Sequence, residues 1–343
     1  MTNLTFSVIK VLGTSAVASA IAILWAPLLI DFLYKHQLWK KTGGKKAISG
    51  EEAVVFNSLH KERETKVPRM GGLLIFITVV AITLVSYFTP LNFLSRSQTW
   101  LPLFTLMAAS LFGLLDDILV VSNLGKYIGG GISFKKRLVV VALIGLAGGL
   151  WFFYKLQWDV ISIPLVGHFA IGIWYVPLFV LVMIACWSGG IIDGIDGLSG
   201  GAFASMFGAF TVIAFSQGKV DLATFCAVIT GTLFSFLWFN IPPARFYMTE
   251  VGSLGLVATL SVVAFLTDSV VVLPIIAGLL VLEVGSVIIQ LLSKKIRKKK
   301  IFLSTPIHHH FEAIGWPAYK VTMRLWIVGI VLAIIGVVIK LLG

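Results

Sequence analysis

The chain has 343 residues, of which 58% are hydrophobic and only 12% charged, and its mean hydropathy is +0.99. Soluble domains carry roughly 25% charged residues, so this composition excludes a soluble globular protein and points to a polytopic membrane protein. The formal net charge of +12 does not require nucleic acid, because basic residues gather in the cytoplasmic loops of membrane proteins.

Apolar runs near the roughly 20 residues that span a bilayer fall at about 6–33, 71–88, 100–120, 138–154, 171–190, 200–216, 221–239, 253–267, 270–293 and 323–342. They predict an all-α fold of ten transmembrane helices, in one domain over residues 1–343. The first run exceeds the roughly 7–15 residues of a signal-peptide core and is read as a retained helix. Gly145 and Gly149 in the fourth run permit close packing, against a neighbouring helix or in a homodimer. Between the fourth and fifth runs, residues 158–170 alternate around Pro164 and Gly167 as a small hairpin would. Cys186 and Cys226 both lie in apolar runs and read as core fillers rather than a disulfide.

Loops 35–70, 121–137, 191–199, 240–252 and 294–322, with Arg324 at the last helix edge, hold 22 of the 27 Lys and Arg residues. This side is predicted to be cytoplasmic, which puts both termini and the hairpin outside. The run 294–300 (K-K-I-R-K-K-K) is read as a contact for anionic membrane lipids.

Five carboxylates share that cytoplasmic side. Asp116 and Asp117 end the third run, Asp193 and Asp196 lie in I-I-D-G-I-D-G-L-S-G at 191–200, and Glu250 lies in M-T-E-V-G-S at 248–253. Adjacent carboxylates at the end of an apolar helix are costly unless paired or bound to a cation. A helix cap, or a salt bridge to Lys126 or Lys135, is the plain alternative. All-oxygen ligands favour Mg2+ or Mn2+ over zinc.

His308, His309 and His310 stand in P-I-H-H-H-F-E at 306–312. Three consecutive histidines rarely share one metal, since neighbouring side chains diverge, so phosphate oxygens are the better ligands. In an extended loop His308 and His310 would share one face, with Ile307, His309 and Phe311 on the other. That placement predicts His309 as the histidine held most rigidly. Acidic, basic and histidine-bearing loops on one face indicate phosphoryl transfer to a lipid.

The D-D pair at 116–117, D-G-I-D-G-L at 193–198 and P-I-H-H-H-F-E at 306–312 resemble the polyprenyl-phosphate N-acetylhexosamine-1-phosphate transferases. P-R-M-G-G at 68–72, G-I-S at 131–133 before Lys135, Asn240 with Pro243, and G-S-L at 252–254 extend the likeness over nearly the whole chain. The triple histidine before Phe-Glu is most like the branch that uses UDP-MurNAc-pentapeptide. The resemblance implies a Mg2+-dependent bacterial inner-membrane enzyme that joins the sugar phosphate to undecaprenyl phosphate and releases UMP. It implies that Asp116 and Asp117 orient or deprotonate the lipid phosphate, and that Asp193 and Glu250 serve the metal. Gly194, Ile195 and Asp196 would line a uridine pocket, with Tyr247 stacking. Asn240, His308, His309 and His310 would hold phosphate or sugar, with Lys135 nearby.

The chain departs from the pattern at Thr249-Glu250, where the family has Gly-Asp, and at Trp187–Ile191, where it has N-A-V-N-L. V-P-R-M-G-G at 67–72 is closer to the sibling branch that transfers GlcNAc-1-phosphate, and the family's upstream lysine could correspond to Lys61, Arg63 or Lys66. A divalent-cation transporter is the remaining alternative, with mid-helix Glu283 as its ion site.

Overall fold

The computed structural model describes residues 3–41, 43–44, 57–58, 60, 62–124 and 131–343. Lys61 and Lys126 lie outside the described residues. The apolar runs form helices because a chain in lipid must satisfy its backbone internally. In order these are α1 (Asn3–Lys35), α2 (Leu73–Ser86), α3 (Trp100–Val121), α4 (Phe134–Leu150), α5 (Tyr175–Ser188), α6 (Leu198–Ser216), α7 (Val220–Asn240), α8 (Thr249–Leu266), α9 (Gly278–Arg297), α10 (Ile307–Ala313) and α11 (Ala318–Leu342). Eight helical stretches among the described residues are long and apolar enough to cross a membrane. The chain is therefore an all-α polytopic membrane protein. Large apolar side chains such as Leu24, Phe88, Trp238 and Ile327 face outward, as a lipid-facing surface requires.

Two of the ten predicted spans differ from the others. α2 has 14 residues, roughly 21 Å of helix. The run 270–293 is broken: a single turn, Leu273–Ile276, carries Pro274 at its second position, and α9 begins afresh at Gly278. Proline suits the first turn of a helix and not its interior, which accounts for the helix starting here and not continuing from residue 270; the break at Ala277 has no such explanation. Along α9 the buried residues include Glu283, Ser286, Gln290 and Ser293, while Val281, Leu282, Ile288, Ile289 and Leu292 are exposed. The helix is amphipathic with its polar stripe turned inward.

α8 is the axis of the bundle, buried along almost its whole length. It packs on α3 and α5, and α7 packs on α1, α2 and α6. Gly113 and Gly255 allow α3 and α8 to touch: a Cβ on Gly113 would fall on the Glu250 carbonyl, and one on Gly255 would fall on Ser110. Gly145 and Gly149 serve the chain's own packing, since Cβ atoms there would lie 3.1 Å from Met183 and 3.2 Å from Val176 of α5.

The predicted hairpin is present. β1 (Val160–Ile163) pairs antiparallel with β2 (Gly167–Ala170), in the register Val160 opposite Ala170. The Ser162 N–H donates to Asp268 Oδ1 at 3.2 Å, just beyond the C-terminus of α8. The 18 residues of α8, roughly 27 Å, separate this end from the carboxylates at the other.

Candidate active site

The site is assembled around the first turn of α8. Helix N-termini carry unpaired N–H groups and partial positive charge, and three carboxylates gather there. Asp193 Oδ2 accepts from the Thr249 N–H at 2.8 Å, and its Oδ1 accepts from Ser199 at 2.8 Å. Asp117 Oδ2 accepts from the Thr249 hydroxyl at 2.7 Å and from the Val251 N–H at 3.0 Å. Glu250 belongs to the turn itself. Thr249 is thus the node of the site. Its hydroxyl also accepts from the Met70 N–H at 3.0 Å, and its φ of +56° is uncommon for a β-branched residue.

Two arginines complete the charge pattern. Arg69 Nη2 donates to Asp117 Oδ1 at 2.9 Å. Arg137 reaches Glu250 Oε1 at 2.5 Å and Asp116 Oδ2 at 2.9 Å, so one guanidinium bridges two carboxylates. Asp116 Oδ1 accepts from the Ile132 N–H at 2.5 Å. Among the described residues, Asp116 Oδ2 is met by the Arg137 ion pair alone, and Arg69 Nε is buried without a hydrogen-bond partner. A Cβ on Gly131 would press on the Asp116 carboxylate at 2.6 Å, so the G-I-S stretch lies directly over it. Lys135, the basic residue singled out from sequence, is exposed. The carboxylates' partner is Arg137 in its place, two residues further along the first turn of α4.

The D-G-I-D-G loop is clamped from several sides. Asp196 Oδ2 accepts from Arg63 Nη2 at 2.7 Å and from the Ala244 N–H at 3.0 Å. Burial works against the charge on Arg63, and Asp196 more than offsets it, raising the arginine's pKa. Gly197 sits at φ +79°, which glycine adopts without strain. Its N–H donates to Asn240 Oδ1 at 3.0 Å, and Asn240 Nδ2 donates to the Phe246 carbonyl at 2.8 Å. Asn240 thus braces two loops with both ends of its amide. Thr322 and Trp326 of α11 donate to the carbonyls of Asp196 and Gly197. Ile195 is packed in the apolar core. Tyr247 is half-buried beside this loop; burial first, and Asp196 second, push its hydroxyl pKa up. Its backbone pairs with the P-R-M-G-G stretch, donating to the Pro68 carbonyl and accepting from the Gly71 N–H at 2.7 Å.

The histidines do not lie in an extended loop. They open the helix α10, entered from Pro306, which holds an extended ψ of 174°. Successive helical side chains turn by about 100°, so His308 and His309 both point inward and His310 lies beside them. The expected grouping of Ile307, His309 and Phe311 on one face is therefore corrected. His308 Nδ1 lies 2.8 Å from Glu283 Oε2 of α9. A Cβ on Gly194 would fall on His308 Nε2, so the glycine lets the histidine helix close onto the aspartate loop. His309 Nδ1 lies 2.7 Å from Glu312 Oε2, and His310 Nδ1 accepts from the Leu303 N–H at 3.3 Å.

The structure therefore brings Asp116, Asp117, Asp193 and Glu250 to one end of the bundle, with Gly194 and His308 joined beside them. Arg69 and Arg137 are partners that a site reading of the sequence passes over; Thr249 entered it as a departure from the family pattern, and Glu283 as the ion site of the transporter alternative.

A glycosyl transferase family 4 model matches residues 99–268. The phospho-N-acetylmuramoyl-pentapeptide-transferase of Anoxybacillus flavithermus is 32% identical over 335 residues, covering 96% of this chain and 98% of the relative. This chain belongs to the phospho-N-acetylmuramoyl-pentapeptide-transferase family. The Bacillus subtilis transferase is also 32% identical, over 341 residues and 98% of its length, and that of Shouchella clausii is 33% identical over 329 residues. The family match spans α3 through α8 and so includes all four clustered carboxylates.

Proposed function

We propose that the chain transfers phospho-N-acetylmuramoyl-pentapeptide from UDP-MurNAc-pentapeptide to undecaprenyl phosphate, giving lipid I and UMP, on the cytoplasmic face of a bacterial inner membrane. The observation that carries this reading is the cluster of Asp116, Asp117, Asp193 and Glu250, joined through Thr249 and Arg137 at one end of the bundle. Such a cluster suits an enzyme that handles several phosphates beside a membrane. The predicted topology of ten spans with both termini outside belongs to this reading.

The donor set fits Mg2+. It offers carboxylate oxygens alone, and one cation, the Arg137 guanidinium, already bridges Asp116 and Glu250 and is the only partner of Asp116 Oδ2 among the described residues. Glu250 and Asp193 would hold the ion, which would neutralise the diphosphate and the transferring phosphoryl group.

In this mechanism a phosphate oxygen of the lipid attacks the sugar-proximal phosphorus. The new P–O bond forms, and the bond from that phosphorus to the bridging oxygen breaks, its electron pair leaving on UMP. A phosphate with a second pKa near 6 is mostly ionised at neutral pH, so Asp116 orients the nucleophile more than it deprotonates it. Asp117, whose carboxylate accepts three hydrogen bonds, holds Arg69 and α8 in place. Arg69, with Nε unpaired, donates to phosphate. His308, His309 and His310 face phosphate or sugar, and exposed Lys135 attracts the anionic substrate. Gly194, Ile195 and Asp196 shape the uridine pocket, and Tyr247 stacks on the base. Asn240 acts through Gly197.

The test is product analysis with Mg2+ and undecaprenyl phosphate, supplying UDP-MurNAc-pentapeptide or UDP-GlcNAc in parallel. UMP release and a lipid-linked product with the first substrate alone are expected. Product only with UDP-GlcNAc would assign the chain to the sibling reaction, to which V-P-R-M-G-G is closer.

A further inference from the structure

We propose a second cation site, for a divalent metal of the zinc class, formed by His60, His309 and Glu312. His60 Nε2 lies 3.1 Å and His309 Nδ1 lies 2.7 Å from the same oxygen, Glu312 Oε2. The three donor atoms all fall within 4.8 Å of one another. The side chains are largely withdrawn from solvent, with 15% of His60, 5% of His309 and 6% of Glu312 exposed. Two imidazole nitrogens and a carboxylate are zinc ligands. Bond lengths of about 2.0–2.1 Å in a tetrahedral shell set donor atoms roughly 3.3 Å apart, so small side-chain shifts would admit the ion.

The site shares no residue with the carboxylate cluster at α8, and its imidazoles disfavour Mg2+, which takes oxygen ligands. It joins two segments far apart in sequence. Three residues beyond His60, Arg63 holds Asp196. One residue before His309, His308 packs on Gly194. A metal here would staple the segment before α2 onto α10 across the D-G-I-D-G loop. Ligation through Nδ1 would also fix His309 with its proton on Nε2, making that edge of the ring a donor. The fourth coordination position would remain open to water or a phosphate oxygen.

The test uses the full chain in detergent, stripped with chelator and then equilibrated with saturating Mg2+ so that the oxygen site is filled. Zinc is titrated calorimetrically without substrate, and the loaded protein is studied by zinc X-ray absorption. One Zn2+ per chain, in a nitrogen–oxygen shell with imidazole scattering, is expected. His60→Gln should weaken binding at least ~10-fold, the lower end of the loss seen for outer-shell changes. His60→Cys, which supplies a thiolate, should recover it and shows that the segment still folds. Absence of stoichiometric zinc, an unchanged affinity in His60→Gln, or no recovery with cysteine would overturn the site. A protein that makes lipid I without binding zinc sinks this inference alone. One that binds zinc but turns over no UDP-sugar sinks the transfer reaction alone.

Discussion

Asp116 and Asp117 are neighbours with different environments, and this separates their roles. Asp117 is fully buried and its two oxygens accept from Arg69, Thr249 and Val251. Asp116 accepts one backbone hydrogen bond and keeps Oδ2 beside a guanidinium. Asp116→Asn should therefore lower turnover by about 10²-fold through lost positioning, with a smaller fall in the thermal midpoint than Asp117→Asn. Asp117→Asn should lower both, since an amide places an N–H against donors and buried hydrogen bonds to charged groups contribute about 1.5–3 kcal/mol. UMP release and thermal unfolding, measured on both variants, check this; equal loss of stability in the two would refute the division. Glu250 is judged by the same pair of measurements. Glu250→Gln removes a charge from the proposed Mg2+ site and should cost about 10²–10³-fold in turnover. Glu250→Asp keeps the carboxylate, in the form the resemblance in sequence implies, and should keep or raise the rate. Full activity of the glutamine variant would remove Glu250 from the metal site.

At the scale of elements, the apolar runs were legible because a lipid-spanning helix must be long and apolar, which few residue patterns imitate. The hairpin was legible from its alternation. The helix at the histidines was not, since a stretch of seven residues is too short to display a period. The arginine partners were not legible either. Arg69 meets Asp117 across 48 residues and Arg137 meets Glu250 across 113, and such pairings are set by how helices pack. The contact between α10 and the aspartate loop makes a prediction of its own. Gly194 leaves room for His308, so Gly194→Ala forces either the histidine or the loop to move, and overpacking of this kind costs about 1–3 kcal/mol. We expect Gly194→Ala to reduce turnover strongly while Gly208→Ala, at a position where a Cβ meets nothing within 4 Å, stays near native. Similar rates in the two variants would show that α10 does not need this close approach.

For the whole molecule, the decisive quantity is which end of the bundle faces the cytoplasm. α8 joins the two ends: carboxylates and arginines surround its start, and the hairpin binds Asp268 just after its finish. The basic segment 294–300 leads from α9 toward α10, whose His308 packs on the aspartate loop, so it lies at the site end. In the proposed topology, lysine and arginine enrichment puts that end in the cytoplasm, where the proposed UDP-sugar donor is available. Val166 at the hairpin tip and Lys300 are both exposed, and the native cysteines Cys186 and Cys226 are buried. Val166→Cys in intact cells should react with a membrane-impermeant maleimide, and Lys300→Cys should react only in inverted vesicles. The reverse pattern would place the carboxylates outside, away from the nucleotide, and would defeat the transferase reading together with the topology. A lipid phosphate held in the membrane and a nucleotide arriving from water can meet only where the helices end. The labelling pattern is thus a test of the chemistry as much as of the fold.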